Sequence, residues 1–298
     1  MITKIRSTQI FSGMMLALTF VSSSLPVRAQ NTRCHFIDSL LTFSGSPREQ
    51  AKCLLRPVKM YGHLGEVLPS LPLPLDTLIG RVVALDRAAV KRYLSANNIS
   101  EEEIGGSLAA RLSRANNNDP NSPRARYFVI HDVSTPNYLN NPFPANLNEA
   151  AWRWNDLSKW KRDSRAHIYI NRVGKSVTAW DFKTAGRATK FETKILKLRG
   201  KGLFLHVELV QPRRRDPNGG AQNDAIAPIP GFTEAQLQRL ALLYVAASVR
   251  AGQWLIPAFH AALDVGIPDA HDDPQNFDLT LWAQQLETLL EAIAAANR

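Results

Sequence analysis

Two runs of apolar side chains, at residues 126–131 and 203–210, constrain this chain most. In the first, Tyr127, Phe128, Val129 and Ile130 follow one another with no polar residue between them. In the second, Leu203, Phe204, Leu205, Val207, Leu209 and Val210 leave only His206 and Glu208 as polar positions. Unbroken apolar runs of strand length are buried on both faces, and such strands belong to sheets covered by helices, so the fold class is α/β. The polar exceptions carry the functional argument. His131 ends the first run, before Asp132 and a loop at 134–146 rich in Asn and Pro. The end of a central strand points into the crevice where α/β sheets bind ligands. Alternation puts His206 and Glu208 on one face of their strand. A glutamate there is costly unless it is paired, solvated in a cleft or functional.

Other elements surround these two. Residues 167–175 read as a strand and tight turn, with 176–180 returning as the second strand of a hairpin. Residues 148–160 read as a helix with Ala150, Ala151, Trp154 and Leu157 on one side, and 184–202 as a basic surface loop. Thr233 and Gln236 form a capping box, stapled by Phe232 and Leu237, and open a helix whose stripe is Leu237, Leu240, Ala241, Tyr244 and Val245. Residues 279–295 form an amphipathic helix. Between these two helices, residues 258–278 hold His260, His271, Asp264, Asp269, Asp272, Asp273 and Asp278. That stretch is too polar for a core element and reads as a loop held between packed elements, where chemistry tends to sit.

The beginning of the chain reads differently. Lys4 and Arg6 precede an apolar stretch at 10–21, too short to span a bilayer comfortably, and small residues lead to Ala29. This predicts a signal segment at 1–29 that is cut off on export, giving a periplasmic or secreted protein; the alternative is a retained N-terminal anchor. Cys34 and Cys53 are the only cysteines, and in an oxidising compartment they are expected to form a disulfide, with two buried free thiols as the alternative. Residues 76–96 and 100–112 have helical spacing, the second opened by a capping box from Ser100 to Glu103. A turn-rich linker at 116–123 then divides a helical region at 30–120 from a second domain at 121–298. The formal net charge is +10, and three of the basic residues lie in the signal segment. Nucleic acid is one partner class for such a charge. Export removes it and leaves anionic envelope polymers, with no stable membrane insertion once the signal is gone.

Taken together, His131, Glu208 and His206 at apolar strand ends and His260, His271 and Asp273 in the late loop offer two or three histidines and a carboxylate. With one position open, that is the ligand set of a catalytic zinc, and a remaining glutamate can act as general base. The competing reading is that these are core-edge histidines and helix-capping aspartates.

The order of the elements adds to this. Val129, Ile130 and His131 come first, then 167–174, then His206, Val207, Glu208 and Leu209. The helix opened by Thr233 and Gln236 follows, then His260, then Asp273 with Pro274. Across about residues 125–285 this resembles the type 2 N-acetylmuramoyl-L-alanine amidase family, zinc amidases that share a fold with peptidoglycan recognition proteins and phage amidases. The resemblance implies a central mixed β-sheet flanked by helices, with an N-terminal helical subdomain outside it. It implies zinc (Zn2+) held by His131, His260 and Asp273, with Glu208 activating water. His271 falls where many members carry a lysine that stabilises the oxyanion. The implied substrate is peptidoglycan or muropeptides, with residues 76–115 a place where a regulator could act. A non-catalytic peptidoglycan-binding protein of the same fold is the alternative. The chain departs from the family pattern at five points. Asp273 lies 13 positions after His260, Gln275 replaces a glycine after Pro274, Asp132 stands where a second histidine is common, Ala166 stands where some members carry a tyrosine, and His206 is extra.

Overall fold

In the computed structural model, residues 33–220 and 225–296 are described, and the expected signal segment lies outside them. The described chain enters as a short hairpin, β1 (Phe36–Ile37) against β2 (Thr42–Phe43). Helix α1 (Pro47–Leu54) follows, capped by Ser46 and Glu49 with Pro47 in its first turn. Cys34 and Cys53 form the expected disulfide, their Cα atoms 6.0 Å apart, and so join the entry of the hairpin to α1. The hydroxyl of Tyr127 accepts from the backbone N–H of Phe43 at 2.9 Å and lies 2.9 Å from Gln50 Oε1, so this first segment is pinned to the start of the next strand. Two further helices, α2 (Leu75–Leu78) and α3 (Arg87–Ala96), complete the N-terminal part.

The two apolar runs become neighbouring strands. They are β3 (Tyr127–Asp132), buried along its whole length, and β6 (Phe204–Leu209). With β4 (Ile168–Ile170), β5 (Ser176–Thr178) and β9 (Ile256–Phe259) they form one sheet in the order β5-β4-β6-β3-β9. Four strands are parallel and β5 alone runs antiparallel, as the second arm of the predicted hairpin. A small ladder of β7 (Arg214–Arg215) and β8 (Ala225–Ile226) lies outside this sheet. Because β3, β6 and β9 are parallel, their C-terminal ends share one edge. The register pairs His131 with Glu208 and Ile130 with Phe259, which brings His260 level with His131.

Helix α4 (Glu234–Ala251) has the predicted capping box between Thr233 and Gln236, which satisfies two otherwise unpaired backbone N–H groups and is worth about 1 kcal/mol. It is buried well beyond the predicted stripe, through Leu242, Leu243, Ala246, Ala247 and Val249, because it lies between the sheet side and α6 (Leu279–Ala295). Helix α3 packs on α6 too. The short helix α5 (His260–Asp264) continues directly from β9. Among the described residues no helix is long and apolar enough to cross a membrane.

Three local expectations fail, each for a visible reason. The helix expected at 100–112 stops after one 3₁₀ turn, Glu101–Ile104, although its capping box forms. Gly105 and Gly106 both take positive φ, and a Cβ on Gly105 would fall 2.3 Å from the Phe182 ring, so the chain turns there instead of continuing. The helix expected at 148–160 is two separate 3₁₀ turns, Arg153–Asn155 and Leu157–Lys159. Asn155 holds this loop open: its amide donates to the carbonyls of Leu147 and Glu149, and its Oδ1 accepts from the Arg172 N–H. The loop expected at 184–202 contains a π-helical turn, Phe191–Leu196, with Phe191, Glu192 and Leu196 buried. Phe191 joins an aromatic cluster with Phe36, Phe43 and Phe204 that charge counting over the loop could not show.

Candidate metal centre

Three elements deliver three donor groups to the shared strand edge. His131 is the fifth residue of β3, and His260 is the first residue after β9. Asp273 is carried by the following loop and fastened there by two bonds: its carbonyl accepts from the Ala261 N–H at 2.9 Å, and its Oδ2 accepts from the Asp132 N–H at 3.1 Å. All three side chains are buried, and one donor atom from each lies within 4.8 Å of the others. His131 Nδ1 and His260 Nδ1 are 2.9 Å apart, His260 Nδ1 is 3.0 Å from Asp273 Oδ1, and His131 Nδ1 is 3.6 Å from Asp273 Oδ2.

The donor set fits zinc. Bonds of 2.0–2.1 Å in a tetrahedron place ligand atoms about 3.3 Å apart, and the three observed separations bracket that figure. The far nitrogens fit as well. His260 Nε2 lies 2.9 Å from Asp264 Oδ2, the carboxylate support that orients a metal-binding histidine. His131 Nε2 lies 3.1 Å from His206 Nδ1. Charge points the same way: Asp132, Asp264, Asp273, Glu192 and Glu208 crowd this region, against one buried guanidinium, Arg213.

Glu208 is 13% exposed, with Oε1 4.0 Å from His131 Nδ1 and Oε2 buried without a partner. Burial raises its pKa well above the ordinary carboxylate range, and the charges of Asp273 and Asp132 add to that. For His260, burial disfavours the imidazolium, but Asp273 and Asp264 outweigh it and hold the pKa well above its ordinary value. Burial would raise Asp273 too, yet His260 holds it well below the usual range. His131 goes the other way, pushed down by burial and by the neighbouring His260.

The structure brings His131, His260, Asp273 and Glu208 together and sets His271 at the rim. His271 is 53% exposed, with its ring 4.6 Å from that of His260 and Nδ1 3.7 Å from Asp273 Oδ1. His206 shares the face of Glu208, as alternation required, but is fully buried behind His131. Asp132 is not a donor. Its carboxylate pairs with Arg213 at 2.8 Å and accepts from Ser134, and burial pushes its pKa up to about 7 against the pull of Arg213. Arg213 also lies 3.5 Å from Asp272 and hydrogen-bonds Gln211. Gly62 is packed so close that a Cβ would lie 2.8 Å from the Asp272 side chain, so the 3₁₀ turn Met60–Gly62 braces the loop carrying His271 and Asp273.

Three contributors escaped the sequence reading. Asp264, one of the aspartates of the late loop, accepts from the backbone N–H groups of Lys190 and Phe191 and also grips His260. The spacing of four between His260 and Asp264 was the available signal, since it puts both on one face of a helical turn. Glu192 sat inside a stretch read as basic surface, although Thr189 and Glu192 have the spacing of a capping box and bond each other's backbone N–H groups reciprocally; Arg213 carried no local signal.

No protein-family model matches the chain, and no curated protein matches it. Two solved structures are similar. One is the Ph2119 endolysin from the Thermus scotoductus MAT2119 bacteriophage Ph2119, at 12% identity over 55% of this chain and 86% of that chain, with a TM-score of 0.32. The other is a selenomethionine derivative of AmpD, at 18% identity over 61% of this chain and 97% of that chain, with a TM-score of 0.33. At such scores the likeness adds no weight to the geometry described above.

Proposed function

We propose that this chain hydrolyses the amide bond between N-acetylmuramic acid and L-alanine in peptidoglycan or muropeptides, with zinc held by His131, His260 and Asp273. The observation that carries this reading is Glu208. A buried carboxylate oxygen with no partner is costly, and here it belongs to a glutamate beside a complete ligand set. What sets it apart from other buried unpaired groups is its place beside the donor set, where a carboxylate can take a proton from water. When bound, zinc supplies Lewis acidity, acidifying water and polarising the scissile carbonyl. Glu208 takes a proton from the attacking water and returns it to the leaving nitrogen of L-alanine, a role suited to a carboxylate whose pKa is raised. His271 at the rim donates a hydrogen bond to the carbonyl oxygen as it becomes anionic. The products are a peptide with a free L-alanine amine and a glycan with a free lactyl carboxylate.

This reading makes 121–298 the catalytic part and the preceding region its buttress, through the disulfide, the Tyr127 bonds and the turn against Asp272. It places the protein outside the cytoplasm, where its substrate is. The test is mass spectrometry of muropeptides and of intact sacculi after incubation with the zinc-loaded protein. Release of stem peptides beginning with L-alanine is expected. Intact muropeptides beside stoichiometric zinc would overturn hydrolysis and leave a binding protein.

A further inference from the structure

We infer that His206 and Glu192 are positioning residues for His131, forming a buried relay that fixes which of its nitrogens faces the metal centre and strengthens that nitrogen as a donor. The inference rests on the zinc reading above, and it concerns residues with no role in that reading.

The relay starts at the back of His131, where Nε2 lies 3.1 Å from His206 Nδ1. One of these nitrogens carries the hydrogen and the other accepts it. The choice is made one residue further on. His206 Nε2 lies 3.2 Å from Glu192 Oε2, at an angle bent away from a regular hydrogen bond. A carboxylate only accepts, so it draws the His206 hydrogen to Nε2 and leaves Nδ1 as a bare acceptor. His131 then donates from Nε2. Its Nδ1 is left as a lone pair, and that is the atom 2.9 Å from His260 Nδ1.

Both relay residues are held in place. Glu192 Oε2 accepts from the N–H groups of Ala188 and Thr189, each at 3.1 Å, and from the Thr189 hydroxyl at 3.0 Å. Its Oε1 has no partner, so the relay contains a buried carboxylate that its own surroundings do not fully compensate. A cation on the far side of His131 would supply the missing positive charge through the two imidazoles. His206 is clamped from its other face by His167, whose ring stacks at 5.6 Å and 19° and whose Nδ1 accepts from the His206 backbone N–H at 3.0 Å.

The two histidine ligands are therefore supported unequally. His260 meets its carboxylate, Asp264, directly at 2.9 Å, whereas His131 meets Glu192 through an intervening imidazole. Loss of such outer partners costs metal sites about 10- to 100-fold in affinity.

The experiment measures zinc Kd by competition with a chromophoric chelator, and the visible absorption of the cobalt(II)-substituted protein, for the wild type, E192Q, H206N and H206F. Gln at 192 keeps the shape and removes the charge. Asn at 206 offers an acceptor near the Nδ1 position without the link to Glu192, and Phe removes both. Zinc affinity should fall about 10-fold in E192Q and about 100-fold in H206F, with H206N recovering part of the H206F loss. The cobalt band should shift in each variant, while thermal unfolding of metal-free E192Q stays near that of the wild type. Unchanged zinc affinity and cobalt spectra in folded E192Q and H206N would overturn the relay, and these two carry the test if H206F fails to fold. Wild-type protein that takes up no zinc would instead overturn the metal centre, and the relay with it.

Discussion

His167, the residue before β4, and His131, near the end of β3, contrast a structural histidine with one proposed to hold a metal. Both are fully buried, both have pKa values pushed down chiefly by burial, and both touch His206. Their partners differ. His167 Nδ1 accepts from the His206 backbone N–H, and Nε2 therefore carries the hydrogen and donates to the Thr184 carbonyl at 3.0 Å. Every polar atom of that ring is matched by backbone. Among the described residues the His131 ring meets no backbone group: Nε2 faces His206, and Nδ1 faces a second histidine nitrogen and a carboxylate. Burial and residue type are the same in the two places. What marks the proposed ligand is convergence on one side of groups that can all act as acceptors.

The sharpest way to break this contrast is to remove one residue from each side. Asp273→Ala should abolish stoichiometric zinc binding, weakening it more than about 100-fold, and with it amide cleavage, because loss of a ligand exceeds the loss of an outer partner. His167→Gln should leave zinc affinity within a few-fold of the wild type while lowering stability by about 1–3 kcal/mol, the cost of a buried donor and acceptor left imperfectly matched. Metal analysis by mass spectrometry and chemical denaturation read the two effects separately. Equal zinc loss in both variants would mean that the two histidine regions act as one site.

Glu208 gives the next largest effect and separates holding the metal from using it. Its Oε1 lies 4.0 Å from His131 Nδ1, outside bonding range of the donor set. Glu208→Gln keeps the shape, so zinc should bind as in the wild type while the rate of amide cleavage falls about 10²- to 10⁴-fold, the usual contribution of a positioned general base. Zinc lost along with activity in this variant would make Glu208 a ligand and move Asp273 out of that role.

The contrast also shows what could be read without coordinates. The two apolar runs were legible because a strand buried on both faces excludes polar residues, so His131, His206 and Glu208 stood out against them. The cap of α4 was legible because Thr233, Gln236 and Phe232 act within one turn. The late loop was legible only as a concentration of His and Asp; dividing His260 and Asp273 from Asp264 and Asp272 takes the register of β3 with β9 and the anchoring of Asp273 to Asp132. The link from Glu192 to His206 was hidden because it is long-range, although the bonds of Glu192 to Thr189 are local. Glu192 lies in a basic stretch whose burial depends on Phe191 meeting Phe36, Phe43 and Phe204. The failed helix at 148–160 has a similar cause, since the apolar spacing was present but Asn155 was committed to Asn171 and Arg172 across the fold. Local rules carried the caps and the central strands; where a side chain answers to a distant backbone group, they did not.

The smallest effect concerns protons. Burial and the adjacent His206 push the His167 pKa down from 6.5 to about 3. The unfolded chain therefore binds a proton between about pH 6.5 and 3 that the folded chain does not, so this residue's stabilising contribution is complete above 6.5 and is lost as pH falls towards 3. At pH 5 the loss amounts to about 2 kcal/mol relative to pH 7.5. The check is urea denaturation of the metal-free wild type and His167→Gln at both pH values. Groups common to both proteins cancel in the difference, so the stability advantage of the wild type should shrink by about 2 kcal/mol on going from pH 7.5 to pH 5. Parallel profiles would show that His167 titrates normally. Its ring would then have access to water, and the matched-against-unmatched distinction from His131 would rest on the wrong residue.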